Sequence, residues 1–208
     1  MGSSLTASDI EGIKSLYENR FREFGRSVKT VGWGAVEDQI LRFDVLCRGL
    51  DISGCSVLDV GCGLGDLVPF LDQKTSGNYD YTGIDISEAL VESAAGAFAG
   101  ERRSFLTSDI FQIPSDKKFD FTFLSGALNF RIKDNKSHAN DVIKKMFDLS
   151  TKAVSFNMLS SYADYVAEKN FHHSPEEIFS YSKKLSPRVN LFHDYPLYEF
   201  SVQIFQNS

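Results

Sequence analysis

Cysteine is scarce, and long apolar runs are missing. The three cysteines, Cys47, Cys55 and Cys62, are odd in number and fall outside any CxxC or Cys/His metal spacing. They read as free thiols of a reducing compartment, which predicts a cytoplasmic protein with neither a disulfide framework nor a metal site. No apolar run approaches the ~18 residues that a membrane-spanning helix needs. Met1 to Thr6 has neither a basic stretch nor an apolar one, so neither export nor a membrane partner is expected. Like charges never cluster: 22 Lys plus Arg stand against 28 Asp plus Glu, a net charge of −6, with no run of five like charges. A phosphate-backbone binder usually shows a basic face, so nucleic acid is not an expected partner. Internal repeats and linkers are also absent.

What is present is average globular usage, 208 residues with 42% apolar and 24% charged side chains. A chain of this length can bury roughly 70% of its unfolded surface. One domain is expected over residues 1–208, with 1–50 as an N-terminal helical cap and 51–208 as the core. Apolar residues at three- and four-residue spacing, Ile10, Ile13, Tyr17, Phe21 and Phe24, predict a helix from Ser8 to about Gly25. A second helix is expected from Gly34 to Gly49, after a flexible segment that ends in the only tryptophan, Trp33.

Beyond Gly54, short apolar strands alternate with helices, the pattern of a parallel sheet. Strands are expected at Ser56–Val60, Tyr79–Asp85, Ser104–Thr107, Phe119–Leu124 and Ala153–Leu159. Helices are expected at Leu64–Gln73, Ser87–Phe98, Ser137–Ser150 and from Ser174 to Leu185. The last opens on Ser-Pro-Glu-Glu, in which Ser174 caps, Pro175 takes the first helical position and Glu177 completes a capping box. Arg188–His193 and Leu197–Phe205 read as a closing strand pair.

The most informative stretch runs from Val57 through Asp59, Gly61, Cys62, Gly63 and Gly65 to Asp66. It is a strand that enters a glycine turn and then a helix, and glycine there allows a sharp turn and close approach to a ligand. A dinucleotide fingerprint needs a third glycine where Asp66 stands. An aspartate there repels a pyrophosphate, and Asp59 adds a second carboxylate able to accept from an amine. The loop therefore favours a cationic ligand.

These residues resemble motif I of the class I S-adenosylmethionine-dependent methyltransferases, and the resemblance continues in register. Gly83-Ile84-Asp85-Ile86 closes the second strand with an acid 20 positions after Gly65, where that family holds the cofactor ribose. Thr107-Ser108-Asp109-Ile110 is similar to the adenine-contacting segment, with Asp109 accepting from the exocyclic amine and Ile86 and Ile110 flanking the ring. Phe119 to Gly126 is similar to the fourth strand, whose end at Ser125 faces the methyl group. The resemblance implies a Rossmann-like, doubly wound α/β fold. Its seven-stranded sheet would be mostly parallel, with an antiparallel C-terminal strand and added N-terminal helices. It implies S-adenosylmethionine as cofactor and S-adenosylhomocysteine as product. Trp33, with Gly34, is a candidate lid over that cofactor. Structural alternatives stand beside each role: a plain turn for the glycines, helix caps for Asp85 and Asp109, a small filler for Cys62 and core packing for Trp33.

For the acceptor, the segments that leave the strand ends carry His138, His172 and His173 as candidate bases, with Asn129, Arg131, Tyr162 and Tyr165 nearby. Arg20, Arg22 and Lys29 are candidates for the cofactor carboxylate. The nucleic-acid amino-methyltransferases carry an Asn/Asp-Pro-Pro-aromatic motif after strand 4, and here the residues are Ser125-Gly126-Ala127-Leu128. A small-molecule acceptor is expected, methylated at oxygen, nitrogen or carbon. A non-catalytic sensor or partner subunit that binds the same cofactor is the alternative, and a nicotinamide-linked oxidoreductase is disfavoured by Asp66.

Overall fold

The computed structural model describes residues 5–206; the first four and last two positions of the expected domain lie outside the described residues. Helices α1 (Ala7–Phe24) and α2 (Val36–Leu46) precede a run of β1 (Ser56–Val60), α3 (Leu67–Thr75), β2 (Asp80–Asp85), α4 (Glu88–Phe98) and β3 (Arg103–Thr107). A single 3-10 turn, Ile110–Gln112, follows. Then come β4 (Phe119–Ser125), α5 (Asn135–Leu149), β5 (Ser150–Leu159), α6 (Pro175–Leu185), β6 (Val189–Phe192) and β7 (Glu199–Phe205).

The seven strands form one sheet in the order β3-β2-β1-β4-β5-β7-β6. β1 to β5 run parallel, and β7 lies antiparallel to both β5 and β6. The expected architecture, a mostly parallel sheet with an antiparallel C-terminal strand, is therefore the one observed. Chain direction across the sheet reverses between β1 and β4, where Val60 stands opposite both Ile84 and Leu124. A crevice opens at such a switch point, beyond the carboxyl ends of the strands.

Alternation along the strands supplies two cores. Val57, Phe121, Phe123 and Ala153 point to one face and pack under Phe43 and Leu46 of α2 and Leu67, Val68 and Leu71 of α3. Leu58, Val60, Leu124, Val154, Phe156 and Met158 point to the other, against Val142, Ile143 and Met146 of α5 and Ile178 of α6. Strands covered on both faces read as near-continuous apolar runs rather than alternating ones. Among the described residues no helix is long and apolar enough to cross a membrane.

Some boundaries differ from expectation for local reasons. α3 begins at Leu67 rather than Leu64, because Gly65 takes φ +76° and cannot join a right-handed helix. α2 stops at Leu46, before Gly49 at φ +72°. At α6, Ser174 accepts from the Glu177 amide as expected, but the Glu177 carboxylate pairs with Lys136 at 2.7 Å instead of closing a capping box.

Candidate functional site

Three glycines with positive φ, Gly61, Gly63 and Gly65, turn the chain from β1 into α3. The Gly61 and Cys62 amides donate to the Ile84 carbonyl at 2.8 and 3.0 Å, which ties the turn to the end of β2. A Cβ on Gly61 would lie 2.5 Å from the Ala127 methyl, so only glycine allows the turn to approach the β4 exit. Gly65 serves a different purpose from ligand contact. Its missing side chain makes room for Phe98, Phe105 and Ala94, and it lines neither cavity described below.

A cavity with about 910 Å³ of empty space, including its open mouth, lies over this turn. Of the sequence-predicted residues, Gly61, Gly63, Asp85, Ile86, Asp109, Ile110, Ser125, Trp33 and His138 all line it. Tyr17 and Ile13 of α1 and Val31 form its roof, in the N-terminal segment expected to cap the core. A smaller cavity adjoins it on the other side of Trp33, lined by Asp59, Asp66, Gln39 and Cys62 and by the glycine turn.

The acids have defined partners. Asp85 accepts from the Gly63 amide through one oxygen at 3.0 Å and from the Ser87 amide through the other at 2.9 Å. Burial nevertheless raises its pKa above the usual carboxylate range. Asp59 accepts from the Tyr81 hydroxyl at 2.7 Å, and burial, reinforced by the charges of Asp85 and Asp66, pushes it up to about 7. Asp66 accepts from Gln39 at 3.0 Å. Asp109 caps the 3-10 turn by accepting from the Phe111 amide at 2.9 Å, so the capping alternative holds for it even as it faces the cavity. Burial keeps the Cys62 thiol protonated.

The histidines separate. His138 faces the cavity from the first turns of α5, and burial lowers its pKa below the ordinary imidazole value, so the ring is neutral near pH 7. His172 and His173 lie outside the cavity. His172 donates from Nδ1 to the Ser160 carbonyl at 2.7 Å, and His173, 2% exposed, donates from Nε2 to the Leu128 carbonyl at 3.1 Å. Both are fasteners between loops, which accounts for the burial of His173 and the half-buried position of His172. Asn129 and Arg131 are likewise spent on backbone, Asn129 accepting from the Leu159 amide at the end of β5 and Arg131 donating to the Glu168 and Asn170 carbonyls. Tyr162 and Tyr165 are exposed.

Three carboxylates thus surround one glycine turn, and no lysine or arginine is among the described residues lining either cavity. A pyrophosphate would meet negative potential here, whereas a cation would be attracted. The glycine cradle and the set of acidic acceptors fit an extended cationic nucleoside.

Comparison with known proteins agrees with this geometry. A family model described as a methyltransferase domain matches residues 51–199, and the chain belongs to that family. More particularly, it is 33% identical over 156 residues to "Putative methyltransferase Rv1506c" of Mycobacterium tuberculosis, a match that covers 72% of this chain and 92% of that one. Solved structures share the fold at low identity. The magnesium protoporphyrin IX methyltransferase ChlM of Synechocystis PCC 6803, with bound SAH, superposes at a TM-score of 0.69 and 16% identity, covering 96% of this chain and all of the other. DhpI in complex with SAH superposes at 0.67 and 16%, covering 93% and 95%.

Proposed function

We propose that this protein transfers the methyl group of S-adenosylmethionine to a small-molecule acceptor, with Asp85 on the ribose, Asp109 and Ile110 at the adenine and Asp59 at the amino group. The observation that carries this reading is the convergence of Asp59, Asp66 and Asp85 on the glycine turn at the sheet's switch point. The bound sulfonium supplies an activated methyl group. This chain's residues then have to hold the acceptor in line and exclude water, a contribution that can reach ~7 to 11 kcal/mol. Neutral His138 can take the proton of an acceptor hydroxyl or ammonium. The apolar roof, Ile13, Val31 and Tyr17 with Leu128, suits a small organic acceptor better than a polymer. Ile13 and Tyr17 of α1, with Val31 and Trp33, act as the cap over the crevice.

Calorimetry with S-adenosylmethionine, S-adenosylhomocysteine and NAD tests the cofactor. The expected result is stoichiometric binding of the first two and none of NAD; absence of both at high micromolar concentration would refute the proposal. Release of S-adenosylhomocysteine on incubation with metabolite extract separates an enzyme from a cofactor-binding sensor.

A pH dependence follows from Asp59. Its free-state pKa lies near 7, and a ligand ammonium favours the ionised carboxylate, which lowers that pKa in the complex. Affinity for S-adenosylhomocysteine is therefore expected to rise as pH increases toward 7 and to level off above it. The slope is at most about tenfold per pH unit, the equivalent of ~1.4 kcal/mol. Asp59→Asn, which retains an acceptor for Tyr81, should flatten the profile between pH 5.5 and 8. An unchanged slope in that variant would place the titrating group elsewhere.

A further inference from the structure

Trp33, the only tryptophan, stands where the two cavities meet. Together with Val31, Gly61, Gly63 and Ser125 it lines both. A ligand that spans from Asp85 to Asp59 has to pass the edge of this ring. The ring is fixed on two sides. It lies so close over Gly126 that a Cβ there would fall 2.6 and 2.8 Å from two of its atoms. The Arg42 guanidinium of α2 sits over it, 3.7 Å from the centroid.

Arg42 is itself braced. Its Nε donates to Glu199 of β7 at 2.7 Å, and the two side chains are 8% and 1% exposed. Arg42 Nη1 and Glu199 Oε1 are both buried without a hydrogen-bond partner. A buried ion pair with open valences is a poor stabiliser, because desolvation of both charges is repaid by a single bond. Stability therefore does not account for the pair, whereas the placement of Trp33 does. A planar guanidinium can lie flat on an indole while its edge is held by a carboxylate, an arrangement that lysine cannot reproduce.

We propose that Arg42, braced by Glu199, is a positioning residue that holds Trp33 against the glycine turn and so sets the width of the waist between the two halves of the cofactor crevice. The inference rests on the cofactor reading only in that the ligand spans both cavities. Arg42 is predicted to touch no ligand and to act through the ring alone.

Acrylamide quenching of tryptophan fluorescence reads the position of Trp33 without any activity assay. The double variant Arg42→Met/Glu199→Gln removes both buried charges together, and a thermal melt by circular dichroism establishes that it is folded. Quenching of the ligand-free protein is expected to rise in this variant. Binding of S-adenosylhomocysteine is expected to weaken by up to about thirtyfold, the scale of a desolvated cation–π contact. Arg42→Lys should fall between the double variant and the parent, and it carries the comparison alone if the double variant does not fold. Quenching and affinity that match the parent in a folded variant would overturn the proposal. If the parent itself binds no S-adenosylhomocysteine, the cofactor reading fails, and quenching alone then decides whether Arg42 holds Trp33.

Discussion

Replacing Asp85 with alanine is expected to weaken binding of S-adenosylhomocysteine by about 1.5–3 kcal/mol, roughly tenfold to a hundredfold. The side chain stands at the last residue of β2, with one oxygen on the Gly63 amide and the other on that of Ser87. The carboxylate lines the cavity, where it can accept from a vicinal diol through charge-assisted bonds. Alanine removes those acceptors and also releases the Gly63 amide, so the turn loses a fastener. Asparagine retains the shape but presents an amide N–H to one of two backbone N–H donors, and its loss should be intermediate. Calorimetry on variants with an unaltered melting curve checks the series. Affinity equal to the parent's in Asp85→Ala would remove this residue from the binding site.

Much of this site was legible because the relevant residues are near in sequence or fixed by the strand order. The glycine turn, Asp59, Asp85 and Asp109 each sit at the carboxyl end of a strand or in the turn after it, and parallel strand order brings those ends to one edge. Contacts between distant segments were not legible. Arg42 and Glu199 are 157 positions apart, and nothing in either local pattern announces the other. The two late histidines show the reverse failure: their segments leave the strand ends, which made them candidate bases, yet both rings are tied to loop carbonyls outside the cavity. Strand β5 begins at Ser150 rather than Ala153, because Ser150 pairs with Phe119 across a register shift that its polar Ser-Thr-Lys opening does not betray.

Substitution of Gly61 by alanine should be more damaging than any change to a single acid. At φ +71° an L side chain carries strain of about 1–2 kcal/mol. The new methyl would also meet the Ala127 methyl at 2.5 Å, and neither group has a rotamer through which to escape. Overpacking of that kind adds roughly 1–3 kcal/mol, for a combined loss of about 2–5 kcal/mol. The chain can relieve the clash only by moving the turn off the β4 exit, which would break the Gly61 and Cys62 bonds to Ile84 and widen the cradle. Cofactor binding should therefore fall together with stability. Gly96 supplies the internal control. It is an exposed residue inside α4 with open space around it, so Gly96→Ala should stabilise the protein by about 0.5–1 kcal/mol. Urea denaturation of the two variants should move the midpoint in opposite directions. A Gly61→Ala protein with the parent's midpoint and the parent's affinity for S-adenosylhomocysteine would show that the close approach of turn and β4 exit is not what builds the site.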